Sequence, residues 1–153
     1  MRRSVWFLAV ACGLSLTAGC GTMRSSPPVV QGSIKTAATT NPDPRGRPSP
    51  IVVRVYELKS SAAFNSADFF SLFDKESETL GGDLVGREEY DLRPDETRPY
   101  RRQLQADTKV IGVVAAFRDL EKSRWRQTTT VPAKSAINLD IGVETRAVTM
   151  TVK

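Results

Sequence analysis

The run Lys109–Val110–Ile111–Gly112–Val113–Val114–Ala115–Ala116–Phe117–Arg118–Asp119 constrains the fold more than any other stretch of the chain. It is the longest apolar run outside the N-terminal residues, charges bound it, and its β-branched content favours a strand over a helix. Alternation with a period of two sends Ile111, Val113, Ala115 and Phe117 to one side and Val110, Gly112, Val114 and Ala116 to the other, so both faces need cover. The bulky face suits the interior of a two-sheet sandwich. The nearly flat one suits a helix lying close on the outside of the sheet.

One segment can supply that helix. Four of the six phenylalanines fall in the ten residues Phe64–Asn65–Ser66–Ala67–Asp68–Phe69–Phe70–Ser71–Leu72–Phe73. Asn65 is a capping residue, Asp68 favours the positive helix end, and Phe64 is placed to staple back on Phe69, which predicts a helix over about Ser66–Phe73 with Phe69, Leu72 and Phe73 on one face. Packing against the sheet is the first use for these rings, and an aromatic patch for a partner is the alternative. A second helical turn over about Lys75–Gly86 is broken by Gly81–Gly82.

The rest of the chain reads as strands. Val29–Thr36 is a weak one and Ile51–Leu58 a strong one with Ile51, Val53 and Val55 inward. Arg87–Leu92 leads through the turn at Arg93–Glu96 to alternation at Tyr100, Arg102 and Leu104, and Trp125–Val131, Ile137–Ile141 and Val148–Val152 complete the set. About eight short strands in roughly 125 residues predict one mainly all-β domain over residues 29–153, a two-sheet β-sandwich with a small helical insertion.

The N-terminus is of another kind. Met1–Arg2–Arg3 precede an apolar stretch from Val5 to Leu16 that is short for a membrane span and ends in small residues, the pattern of a secretory signal over residues 1–19. Thr17–Ala18–Gly19–Cys20 resembles a bacterial lipobox, although Thr17 stands where Leu is usual; a non-lipidated chain cut nearby is the alternative. By that resemblance Cys20 carries a diacylglycerol and an N-acyl chain, whose buried methylenes at about 0.8 kcal/mol each hold a protein firmly on a membrane. Gly21 stands where an Asp would divert such a lipoprotein from the outer membrane, and residues 20–28 read as a lipidated tether.

Loss of the leader removes Cys12, and acylation of Cys20 would leave no thiol; the sequence has no histidine. The commonest general base and the commonest transition-metal ligand are therefore missing, and no cofactor is expected beyond the lipid. Losing Arg2 and Arg3 changes 22 basic residues against 17 acids to 20 against 17, a formal charge of +3, too diffuse to argue for nucleic acid.

Thr39–Thr40–Asn41–Pro42–Asp43–Pro44–Arg45–Gly46–Arg47–Pro48–Ser49–Pro50 holds four of the nine prolines and cannot join a sheet over most of its length. It is predicted to project as an irregular, stiff surface loop. A stiff loop loses little entropy on docking, so recognition and plain connection are both open for it.

Taken in order, Cys20, the loop from Asn41–Pro42 to Pro50, the strand Val53–Leu58, the segment Asp68–Phe73, and Ile111–Asp119 followed by Trp125–Arg126 resemble the TssJ outer-membrane lipoproteins of bacterial type VI secretion systems. The resemblance implies a transthyretin-like sandwich on the periplasmic face of the outer membrane that binds the C-terminal periplasmic region of TssM, with no enzymatic activity, small-molecule substrate or nucleic-acid partner. It also implies that the loop between the first two strands is the contact surface, here Asn41, Pro42, Asp43, Arg45, Gly46 and Arg47. Two rivals remain: a cell-wall enzyme using Glu88 and Glu89 or Asp95 and Glu96, and a periplasmic carrier using the sandwich interior. Adjacent strand residues face opposite sides, which separates Glu88 from Glu89.

Overall fold

The computed structural model describes residues 27–134 and 136–153, so the expected leader, Cys12, Cys20 and the tether as far as Ser26 lie outside the described residues. Eight strands form two four-stranded sheets. The first contains β1 (Val29–Thr36), β4 (Thr97–Gln103), β7 (Ala136–Val143) and β8 (Val148–Val152) in the order β4-β1-β7-β8. The second contains β2 (Ile51–Leu58), β3 (Leu84–Leu92), β5 (Val110–Ala115) and β6 (Arg126–Thr130) in the order β3-β2-β5-β6. The weak first strand takes an inner position, antiparallel to β4 and parallel to β7. Pro99, which cannot donate to a ladder, sits on β4 at the sheet edge, where proline is tolerated.

Between the sheets lie Val30, Ile34, Tyr100, Leu139 and Ile141 from one side and Ile51, Val53, Val55, Ile111, Val113 and Ala115 from the other, all nearly devoid of solvent exposure. The bulky face of β5 therefore faces the interior, as its alternation predicts, and Phe117 joins it from beyond the strand end. The other face carries a separate core of Tyr56, Leu58, Val114, Phe64, Leu72 and Leu80. Its cover consists of three short helices: α1 (Ala62–Ser66), α2 (Phe69–Asp74) and α3 (Glu76–Leu80). Gly112 explains the close approach, because a Cβ there would lie 2.8 Å from Cζ of Phe64.

The details of this cover differ from the expectation. Instead of one helix capped by Asn65, α1 ends at Ser66 and α2 starts anew from Asp68, whose carboxylate accepts from the Ser71 N–H at 3.0 Å and the Ser71 hydroxyl at 2.6 Å. The break at Ala67 is imposed by tertiary structure: Nη1 of Arg126 donates to the carbonyls of Phe64 and Ala67, drawing the end of α1 onto β6. Phe64 packs edge-on against Tyr56 and over Gly112, while Phe69 stacks on Phe73 and meets Trp125 edge-on. Strand β5 stops at Ala115, so Ala116 is not part of the helix-covered face; it is half-buried and its N–H donates to the Val52 carbonyl.

Strand alternation also carries Glu57 inward after Val55, where it is 2% exposed at one end of the sandwich. Its carboxylate accepts from Arg102 of the opposite sheet, from the Thr108 hydroxyl at 2.6 Å and from the Gln105 N–H at 2.8 Å. A buried charge is tolerable only when paired and hydrogen-bonded in this way.

Candidate functional site

Both sheets send connections to the same end of the sandwich, opposite to the end where β1 begins. Val29 pairs with Gln103 and Ala136 at one end, and Thr36 pairs with Val143 at the other, so the seven steps of β1 separate the two ends by about 23 Å at roughly 3.3 Å per residue. The far end gathers the β1–β2 loop, the turn after β3, the β5–β6 connection and the turn between β7 and β8. They are knitted together by backbone bonds from Asn41 N–H to Thr145, from Asp95 N–H to Ala37, and from Arg124 N–H to Arg146.

The β1–β2 loop is built on buried polar residues. The Thr40 hydroxyl donates to the carbonyls of Val143 at 2.6 Å and Glu144 at 3.1 Å, and the Ser49 N–H returns to the Thr40 carbonyl at 3.1 Å, closing the neck. Asn41 is 3% exposed and adopts the left-handed region at φ 51°, which asparagine tolerates better than most residues. Its amide nitrogen donates to the Pro50 carbonyl at 2.7 Å, and its amide oxygen accepts from the Arg118 N–H at 2.8 Å. The side chain expected to make directional contacts with a partner is thus spent on joining the loop to its own base and to the β5–β6 connection.

Beyond the neck the chain reverses around Asp43. Oδ1 of Asp43 accepts from the N–H of Arg45 at 2.9 Å and of Arg47 at 3.0 Å, while Oδ2 takes Nε of Arg47 at 2.7 Å. The Arg47 N–H and guanidinium, with help from the Arg45 N–H, hold the Asp43 carboxyl below its ordinary range. Gly46 at φ 80° allows the reversal, as its lack of a Cβ suggests. Pro44, Arg45, Gly46, Arg47 and Pro48 form the exposed tip, Pro42 and Asp43 being half-buried. Of the six expected contact residues, Arg45, Gly46 and Arg47 lie outward, Pro42 and Asp43 shape the reversal, and Asn41 faces in.

Alongside the loop runs a cleft of about 600 Å³ lined by Pro42, Asp43, Pro44, Gly46, Arg118, Asp119, Lys122 and Arg146. Nothing in the sequence alone gives Arg118, Lys122 or Arg146 a role in a site. Arg118 lies in a run dominated by its strand signal, and nothing local relates Arg146 to residue 43.

Of the carboxylates offered to a cell-wall enzyme, Glu88 and Glu89 lie apart. Glu88 meets Arg102 and Tyr90, whereas Glu89 lies on the other face with Arg54 and Arg87. Glu96 accepts from the Arg93 N–H and from Arg98, which hold its carboxyl below the ordinary range. The space between the sheets, where a carrier would hold its ligand, is filled by the buried side chains of the core. Among the described residues no cluster of acidic side chains is arranged to hold a metal ion, and no helix is long and apolar enough to cross a membrane.

Residues 28–146 match the family described as T6SS-SciN, type VI secretion lipoprotein, VasD, EvfM, TssJ. The fold is similar to the crystal structure of the T6SS lipoprotein TssJ1 from Pseudomonas aeruginosa, with 40% identity over 83% of this chain and 97% of that one and a TM-score of 0.80. It is also similar to a chain of a structure described as a type VI membrane complex, with 26% identity over 82% and 98% and a TM-score of 0.74. A chain of the structure described as T6SS protein TssM C-terminal domain (869-1107) from EAEC matches with 27% identity over 82% and 97% and a TM-score of 0.64. Compared with curated proteins, the chain has no match.

Proposed function

The chain belongs to the type VI secretion lipoprotein family that includes TssJ, and from that premise we propose that Cys20 anchors it to the periplasmic face of the outer membrane while its β1–β2 loop binds the periplasmic C-terminal region of TssM. The observation that carries this reading is the placement of the loop. The chain enters the sandwich at Val29, so a lipid on Cys20 holds that end toward the membrane, and the loop faces the opposite way. The protein then acts as a link, with one end held by acyl chains and the other by a protein contact.

The construction of the loop fits that role. Its backbone is fixed by four prolines, by Asn41 and by the Asp43 turn, so presenting Arg45, Gly46 and Arg47 costs little entropy on docking. Arg45 offers a planar fork of donors to carboxylates or carbonyls. The similarity to chains from a type VI membrane complex and from a structure described by TssM adds support. This role needs no catalytic group, and the covalent addition it calls for is the lipid at Cys20.

Membrane fractionation of Cys20→Ser tests the anchor. The variant is expected to fold, to be exported and to leave the membrane fraction for the soluble periplasm, with loss of secretion. Retention in outer-membrane fractions on a density gradient would contradict anchoring by this residue.

A further inference from the structure

We propose that the cleft beside the β1–β2 loop receives a carboxylate-rich segment of the partner, held by Arg118 and Arg146. The proposal rests on the TssM reading above and adds the chemistry of the segment that docks there. Each acid in the cleft wall already has a cationic neighbour: Asp43 is bound by Arg47 at 2.7 Å, and Asp119 faces Lys122 at 3.5 Å. Arg118 and Arg146 line the same cleft, are exposed, and form no salt bridge among the described residues; neither do Arg45 and Arg124 nearby. The wall therefore presents free guanidinium groups, with its own carboxylates neutralised. Arginine forks match carboxylates in pairs of parallel hydrogen bonds, so a peptide bearing Asp and Glu is the complementary occupant.

Position and rigidity favour a protein segment over a lipid headgroup. The cleft is at the end of the sandwich opposite Val29, about 23 Å along β1 from the side on which a lipid tether would enter. Arg118 is fixed at its backbone by the Asn41 amide, and Arg146 at its own by the bond from Arg124, so the charges are presented by a preformed frame. A volume of about 600 Å³ is well within the range of clefts that enclose several side-chain-sized groups.

The test titrates detergent-solubilised full-length protein with the purified periplasmic C-terminal region of TssM at low and raised salt. It compares the double variant Arg118→Glu/Arg146→Glu with Lys109→Glu/Lys134→Glu, an equal charge change near the opposite end. Circular dichroism checks that both fold. The cleft variant is expected to lose about tenfold or more in affinity and most of the salt dependence, and the control to stay within about twofold. A fluorescent decaglutamate peptide is expected to bind the wild type and be released by the same cleft variant. If TssM binds both double variants alike, the inference falls and the TssM reading stands. Binding of the peptide, abolished by the cleft variant, without any binding of TssM would overturn the reading and, with it, the assignment of the segment to this partner. Capture by phosphatidylglycerol vesicles that depends on Arg118 and Arg146, with no peptide binding, would overturn the peptide assignment in favour of lipid.

Discussion

Residues 59–83 and residues 37–50 both leave the sheets for long excursions, and they are held by opposite means. The first returns Phe64, Leu72 and Leu80 to the sheet at 0–4% exposure, so its helices form half of a second core. The second buries no large apolar side chain at all. What it buries is Thr40, Asn41 and Ser49, each fastened by hydrogen bonds. An excursion held by apolar burial is part of what keeps the sheet folded, whereas one held by a polar neck can change its tip at little cost to the domain. The same contrast bears on the proposed division between structure and recognition: the aromatic-rich segment, which the sequence also offers as a partner patch, has Phe70 as its one large apolar side chain left mostly exposed, and its other three rings are engaged within the protein.

The contrast is sharpest at Phe64. Phe64→Ala removes a fully buried ring that fits only because Gly112 leaves room for it, and is expected to cost about 3–5 kcal/mol. At roughly 2–4 °C per kcal/mol for a chain of this size, thermal unfolding should move down by about 10 °C. A shift of only a degree or two would mean that the helical cover contributes little to the fold. At the neck of the loop, Asn41→Ala leaves the Arg118 N–H and the Pro50 carbonyl unsatisfied, and is expected to cost about 1–3 kcal/mol. Hydrogen exchange should localise that loss to the β1–β2 loop and the β5–β6 connection; exchange spreading evenly through both sheets would contradict a local neck.

Much of this fold is legible in period-two patterns. Ile111, Val113 and Ala115 face one core and Gly112 and Val114 the other, because alternation assigns faces without knowledge of partners. The break between α1 and α2 is not legible, since Asn65 and Asp68 are both capping residues and the choice is made by Arg126, 62 and 59 residues away from its two acceptors. The buried Glu57 is hidden for the same reason, its partners Arg102 and Thr108 lying 45 and 51 residues along the chain. In the candidate site, the sequence marks the proline-rich loop and its outward arginines. It does not show that Asn41 faces inward, because a polar residue just before a proline looks exposed until a backbone N–H 77 residues away is brought against it.

In the proposed function the tip of the loop acts in binding and hardly at all in folding. Replacing residues 42–48 by a Gly/Ser linker of equal length, while keeping Thr40, Asn41 and Ser49, tests this directly with one unfolding curve and one calorimetric titration against the periplasmic C-terminal region of TssM. The expected result is a melting temperature nearly unchanged and an affinity lowered about a hundredfold, roughly 2.7 kcal/mol. Unchanged affinity, or a melting temperature that falls as far as that of Phe64→Ala, would contradict it.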